Sequence, residues 1–353
     1  MAIDIDFLIV GQGLAGSLLA WRMLQNQYRV IVLDNGAENA SQIAAGLINP
    51  VTGQRLVKTS GVEKFLPAAK QCYQNLNKEL ADSFFVETAM LRILNSQAEL
   101  DTANTRLLQP AYQPYLQSII ADYHKIPADF GILPQKQTGY LRTRILLSEL
   151  RKLFISLGCF RQTMLDYREI ILQPFLQWRD IKPRRIVFCE GHRAVANPWF
   201  AYLPFQLAKG EILTGETESP LPEHIVHFGK WLIPLANGHF KTGATFNTEQ
   251  IDEIPGSAAR TQLLTALLQA YPQLQTFTLI DHKAGIRPAT RDKYPFIGAH
   301  PTLKNLHIFN GFGSKGSLTI PWYCQHFIET MQLGEPLEKS CNIDRYHDTY
   351  FPG

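Results

Sequence analysis

DFLIVGQGLAGSLLAWRML, residues 6–24, followed by VIVLDNG, residues 30–36, decides the fold. Asp6 to Val10 read as a buried strand, and Gly11, Gly13 and Gly16 give G-x-G-x-x-G directly after it. Each glycine has a mechanical reason: the first permits a tight turn, the second lets backbone amides approach a pyrophosphate, and the third lets the new helix pack closely on the sheet. The helix N-terminus then offers an anion its amides and the positive end of its dipole. Arg29 to Leu33 form a second apolar strand ending in Asp34, where a carboxylate accepts hydrogen bonds from a ribose diol. Strand, glycine turn, helix, strand and terminal acid together predict a dinucleotide site rather than a glycine-rich turn alone.

Around this unit, 353 residues with 45% hydrophobic and 18% charged side chains suit about two domains with ample core. The net charge is +3, and the tightest basic cluster, Lys182, Arg184 and Arg185, reads as a solvated turn, so charge predicts no polyanion partner. Cys72, Cys159, Cys189, Cys324 and Cys341 are odd in number, lack C-x-x-C or metal spacing, and read as reduced thiols. The N-terminus lacks the basic and apolar regions of a signal peptide, and no stretch reaches the roughly 18 apolar residues of a membrane span, so a cytoplasmic enzyme is expected. His224, His227, His239 and His282 have no metal-ligand spacing.

Further along, AENASQIAAGLINPVTGQRLVK is rich in turns and small residues that let backbone approach a ligand. From Gly61 the periodicity is mainly helical, interrupted by a strand-like stretch at Ala89 to Leu94. RILLSELRKLFISLG predicts an amphipathic helix, and Arg185 to Cys189 a short strand ending at Glu190-Gly191. Lys209 to Asn247 alternates β-rich pieces with turns, and Asn237-Gly238 signals a hairpin. Helices are expected at Ala258 to Leu274 and Trp322 to Met331.

Six stretches in order give a resemblance: the glycine motif with Asp34, AAGLINP at 44–50, FCEG at 188–191, KWLIPLANGHFKTGAT at 230–245, GIRPATRDKYPFIG at 285–298 and NGFGSKG at 310–316. Together they resemble the D-amino-acid oxidase and glycine oxidase superfamily of FAD-dependent oxidoreductases. That resemblance implies an α/β molecule with a Rossmann-like FAD-binding domain and a discontinuous α+β substrate domain built on an antiparallel sheet. The expected boundaries are 1–75, 135–200 and 283–353 for the first and 76–134 and 201–282 for the second.

The resemblance further implies that Gly11, Gly13, Leu14, Ala15 and Gly16 surround the pyrophosphate and that Asp34 holds the adenosine ribose. Ser41, Gln42, Ala45 and Gly46 would follow the cofactor toward its ring, with Tyr167 and Gly191 on the adenosine side. Gly313, Ser314, Lys315, Gly316, Ser317 and Leu318 would cap the isoalloxazine edge, where positive charge stabilises reduced flavin. Arg287 would bind the substrate carboxylate through two parallel charge-assisted bonds; the alternative is a structural pair with Asp292 or Asp281. Trp231, where the family usually has tyrosine, and Phe246 would line the substrate pocket, or else be core aromatics. Lys241 matches a position linked to oxygen activation in sarcosine-oxidase-like relatives. Regular alternation puts Lys241 and Phe246 on opposite faces, which favours a solvent-facing lysine. The GIRPATRD segment carries no cysteine, so non-covalent FAD is implied.

The implied activity is oxidation of the C–N bond of a small amino acid or N-substituted amino acid, by hydride transfer to flavin N5 and imine hydrolysis, with oxygen or another electron acceptor. GLINP, GIRP, ATRD and FGSKG are also similar to the oxidase half of the bacterial enzyme that matures 5-methylaminomethyl-2-thiouridine in tRNA, which makes a carboxymethylated uridine an alternative substrate. A non-catalytic flavin-binding protein is the third alternative.

Overall fold

The computed structural model describes residues 2–123 and 126–350. The chain forms two units, one from 1–42, 143–208 and 286–353, the other from 43–142 and 209–285.

In the first unit, β1 (Ile3–Val10) and β2 (Val30–Asp34) flank helix α1 (Leu14–Gln25) in sequence. They pair in parallel, Phe7 opposite Val30 and Val10 opposite Leu33. Phe160–Gln162 extends the sheet beyond β2, Ile181–Phe188 pairs in parallel with β1 on its other side, and Leu306–Asn310 follows, again parallel. Phe296–Ala299 returns antiparallel along Leu306–Asn310. The central strands are apolar without alternation because a parallel sheet is covered on both faces. Leu8, Ile31, Ile186, Phe188 and Ile308 accordingly share one core. Helix α1 packs against helices Thr143–Ser156 and Gly316–Leu333 as well as β2, which explains why it is apolar around most of its circumference.

The last of these helices begins six residues before the expected Trp322. Pro321 lies inside it and forfeits one backbone hydrogen bond, but the side chains buried along the helix, Leu318, Ile320, Tyr323 and Phe327 among them, compensate.

The second unit carries a seven-stranded sheet in the order 278–290, 205–216, 239–243, 231–234, 225–227, 90–93, 132–135. From 205–216 to 132–135 the pairings are antiparallel except for Ile225–His227 against Met90–Ile93, which is parallel; residues 286–290 of the first strand fall in the first unit. The Asn237-Gly238 hairpin forms as the dipeptide predicts, with both residues at positive φ and the Leu235 amide donating to the His239 carbonyl. Helix Ser257–Ala270 covers part of the sheet, Leu267 and Ala270 packing with Leu91, Val226, Leu232 and Phe240.

The unit boundaries depart from expectation. Residues 43–75, 135–142 and 283–285, assigned by sequence to the first domain, cluster with the second, while 201–208 cluster with the first. The reason is pairing at a distance: Leu47–Ile48 and Phe85–Glu87 both pair with Gly139–Leu141, and the Leu141 amide donates to the Gly46 carbonyl. That three-stranded sheet ties the small-residue segment after β2 to chain almost a hundred residues later, which local periodicity does not reveal. Among the described residues no helix is long and apolar enough to cross a membrane.

Candidate cofactor and substrate site

The turn between β1 and α1 is built as its spacing predicts. Gly11 has φ +103°, and a Cβ there would overlap the Cys189 carbonyl; a Cβ on Gly16 would overlap the Gly11 carbonyl oxygen. Only hydrogen fits at these two places, so the helix starts hard against the strand. Gly13, the N-cap of α1, offers no side chain to the helix amides, and the first turn carries no acid. With no acid in that turn, and with the Leu14 amide engaged by Ser41 Oγ, the positive end of the helix favours an anion. Space for a ligand exists at Gly191 too, where a Cβ would meet nothing within 4 Å. These are the features a dinucleotide needs, and the FAD site fits them.

Asp34 ends β2 beside this turn. Its Oδ2 accepts from the Gln12 amide at 2.9 Å, and its Oδ1 accepts from the Gly36 amide at 2.8 Å and from Arg151 Nη2 at 3.1 Å. Neither Gln12 nor Arg151 was singled out by sequence. Gln12 occupies a free position of the glycine motif, and Arg151 lies on the Thr143–Ser156 helix, 117 residues beyond Asp34.

Ser41 has a different place from the one expected. Its Oγ accepts from the Leu14 amide at 3.0 Å, so it serves the first turn of α1 directly. Gln42, in the short helix Ala40–Ile43, accepts through Oε1 from the Asn39 amide. Ala45 and Gly46 belong to the second unit, Ala45 packed with Trp231, Ile43 and Met90.

Tyr167 and Gly191 come together around Glu190, another residue the sequence reading passed over although FCEG contains it. Tyr167 donates to Glu190 Oε1 at 2.7 Å and Asn197 Nδ2 donates to Oε2 at 2.8 Å. Burial raises the Glu190 pKa, and burial with the neighbouring acid raises that of the Tyr167 phenol. Asn310 Nδ2 donates to the Gly191 carbonyl at 2.9 Å, joining the ends of two adjacent parallel strands. Ligands of open α/β sheets bind at such carboxyl ends.

Gly313–Lys315 form one turn of 3-10 helix leading into Gly316–Leu333, with Ser317 and Leu318 buried in the latter. Lys315 is solvent-exposed, while partial desolvation by the surrounding chain, with Lys293 nearby, lowers its pKa. Ser314 is exposed and Gly316 half-buried. Arg287 belongs to the same unit. It is half-buried on strand Thr278–Thr290, and burial lowers its pKa. Asp292, offered by sequence as its structural partner, is engaged by Arg345 Nε at 2.8 Å, the Tyr346 hydroxyl at 2.8 Å and the Tyr294 amide at 3.0 Å.

In the second unit, Trp231 is 8% exposed, packs with Ile212, Ile225 and Ile233, and lies opposite Gly243. Phe246 is 71% exposed, so the expected pocket wall is not an enclosed surface at that residue. Regular pairing breaks after Gly243 and resumes at Lys209–Asn247 with one extra residue on this strand, a bulge in which Thr245 accepts from the Glu211 amide through Oγ1 and donates its own amide to the Glu211 carbonyl. The alternation that relates Lys241 to Phe246 thus ends before it reaches Phe246; Lys241 itself pairs with Ile233 and Thr214 and is half-buried. His224 hydrogen-bonds Thr88, His282 faces Glu211, and no group of three metal-ligating side chains occurs among the described residues.

Known proteins agree with this architecture. A glycine oxidase of Pseudomonas putida is 29% identical over 136 residues, 38% of this chain and 37% of that protein. A glycine oxidase of Pseudomonas aeruginosa is 21% identical over 348 residues, covering 93% of this chain and 95% of the relative. The crystal structure of glycine oxidase from Geobacillus kaustophilus superposes with a TM-score of 0.81 at 17% identity, covering 94% of this chain and 96% of that one. Residues 6–330 match the family described as DAO, FAD dependent oxidoreductase, and the chain belongs to that family.

Proposed function

We propose that this flavoenzyme oxidises the C–N bond of a small amino acid or N-substituted amino acid. The single observation that carries the reading is Arg287, a half-buried guanidinium on a strand of an amine-oxidising fold, with Asp292 engaged by Arg345 and Tyr346. A planar guanidinium holds a carboxylate by two parallel hydrogen bonds, and burial strengthens that attraction. Glycine and its N-alkyl derivatives are the first substrates to test, since glycine oxidases are among the relatives.

FAD, when bound, supplies an acceptor for the hydride that leaves the substrate's α-carbon. The protein's share is binding and orientation. Amides of the Gly11–Gly16 turn and the N-terminus of α1 hold the pyrophosphate, and Asp34 accepts from the adenosine ribose. Gly191, with Tyr167, borders the adenosine, and the Gly313–Leu318 turn with Lys315 places positive charge beside the ring. Arg287 fixes the carboxylate, which orients the α-carbon; this positioning replaces a dedicated side-chain base provided the amine arrives neutral. FAD is held without a covalent link. Trp231 acts in this reading as a core aromatic of the second unit, packed with Ile212, Ile225 and Ile233.

Anaerobic bleaching of the flavin's visible band tests the proposal. Glycine, sarcosine, proline or a D-amino acid bleaches the wild-type protein, and Arg287→Ala abolishes bleaching while retaining bound FAD. Bleaching undiminished in Arg287→Ala would remove Arg287 from substrate binding. No bleaching with any of these amines would overturn the small-amine reading and shift weight to the modified-uridine substrate.

A further inference from the structure

Asp34 is held by three protein donors. Arg151 donates through Nη2 to Asp34 Oδ1 at 3.1 Å and through Nε to Gln12 Oε1 at 2.5 Å. Gln12, 1% exposed, donates through Nε2 to the Leu147 carbonyl at 2.9 Å and through its own amide to Asp34 Oδ2 at 2.9 Å. The guanidinium carbon of Arg151 lies 5.3 Å from the centroid of the Phe160 ring, within cation–π range. One edge of one cation therefore links the glycine turn, the end of β2 and the Thr143–Ser156 helix.

The chemistry is specific to arginine. Nε and Nη2 are coplanar donors at fixed separation, and together they span an amide oxygen and a carboxylate oxygen; a lysine ammonium is a single point charge on a flexible stem. The pair is only partly exposed, 25% for Arg151 and 9% for Asp34, so screening by water is reduced. A carboxylate has about four acceptor directions. Gln12, Gly36 and Arg151 fill three of them, which leaves Asp34 one direction for an incoming hydroxyl.

We infer that Arg151 is a positioning residue for the cofactor: through Gln12 and Asp34 it sets the acceptor direction that Asp34 presents to the adenosine ribose. This inference rests on the ribose role of Asp34 and is independent of the amine oxidised. Preorganisation of this kind raises affinity by removing the cost of ordering the side chain on binding.

The test uses apoprotein stripped of flavin, titrated with FAD by fluorescence and with ADP, which carries the ribose without the flavin ring, by calorimetry. Arg151→Met should weaken both ligands about tenfold, and Arg151→Lys should do the same despite keeping the charge. Asp34→Asn should weaken both, and Arg151→Met added to Asp34→Asn should cost less affinity than Arg151→Met alone, since the arginine then has no carboxylate to position although it still holds Gln12. Unchanged affinity in Arg151→Met, with Asp34→Asn weakened, overturns the inference alone. Losses that multiply in the double variant also overturn it, because Arg151 then acts through the fold. Unchanged affinity in Asp34→Asn overturns the ribose role as well.

Discussion

The first unit's site is written in contiguous sequence, whereas the second unit's sheet is assembled from segments far apart. Strand, turn, helix and acid of the first lie within residues 3–34, and each glycine's task follows from its place in the turn. In the second, Met90–Ile93 pairs with Ile225–His227 and with Ile132–Gln135, and Gly139–Leu141 with Leu47–Ile48. Short-range backbone geometry is encoded by residue type at a spacing; long-range pairing is encoded by packing, which one sequence does not display. Four changes test how deep that difference runs.

The largest effect is expected at Gly16. Alanine there must displace the Gly11 carbonyl, and FAD affinity should fall about a hundredfold, read by fluorescence titration, with the apoprotein's melting temperature reported alongside. Binding within threefold of wild type would show that the turn relaxes and that its sequence legibility overstates its rigidity.

Acidification comes next and touches both units. Burial, with Arg92 nearby, lowers the His227 pKa to about 4 in the second unit, and burial, with Arg185 nearby, lowers that of His307 to about 4 in the first. Above an unfolded value near 6.5 neither histidine is protonated in either state, so neither contributes to pH dependence. As pH falls from there toward 4, the unfolded chain binds protons that the folded chain excludes, and each histidine removes up to about 3 kcal/mol of stability. Urea unfolding at pH 7.5 and 4.5 should show the loss, and His227→Gln with His307→Gln should flatten it.

Gly243→Ala probes the second unit's packing. Its Cβ would lie 2.9 Å from Trp231 Cζ2 and 3.0 Å from Ile212 Cγ1, so a loss of about 1–3 kcal/mol is expected by denaturant unfolding, with FAD affinity little changed. A concomitant loss of FAD would mean that the two units are energetically coupled. Smallest of all, Phe246→Ala should alter stability by less than about 0.5 kcal/mol and leave kcat/KM within about twofold. A tenfold loss of kcat/KM would restore Phe246 to the substrate wall.

What escaped the sequence can be traced to particular residues. Gly11, Gly16 and the Asn237-Gly238 hairpin were legible because φ and space at a point restrict residue type. Arg151 was not, because its meaning arises only when the helix bearing it lies beside Asp34. Glu190 stood in a recognised motif, but its partners Tyr167 and Asn197 appear only in the fold. The helix-capping contact of Ser41 was not foreseen, since a hydroxyl that caps a neighbouring helix carries no mark distinguishing it from one that meets a ligand. The boundary at 42/43 was missed for the same reason, because the strand that claims residues 47–48 lies at 139–141.

The threading of the two units also orders their completion on the ribosome. Every segment of the second has been synthesised by residue 285, while the first still lacks Phe296–Ala299, Leu306–Asn310 and the helix Gly316–Leu333. Ile181–Phe188 waits with one edge open until Leu306–Asn310 arrives more than a hundred residues later. The first unit is thus begun before the second and finished after it, and the nascent chain carries one open edge on Ile181–Phe188 for about a third of its synthesis, the kind of exposed edge that chaperones shield.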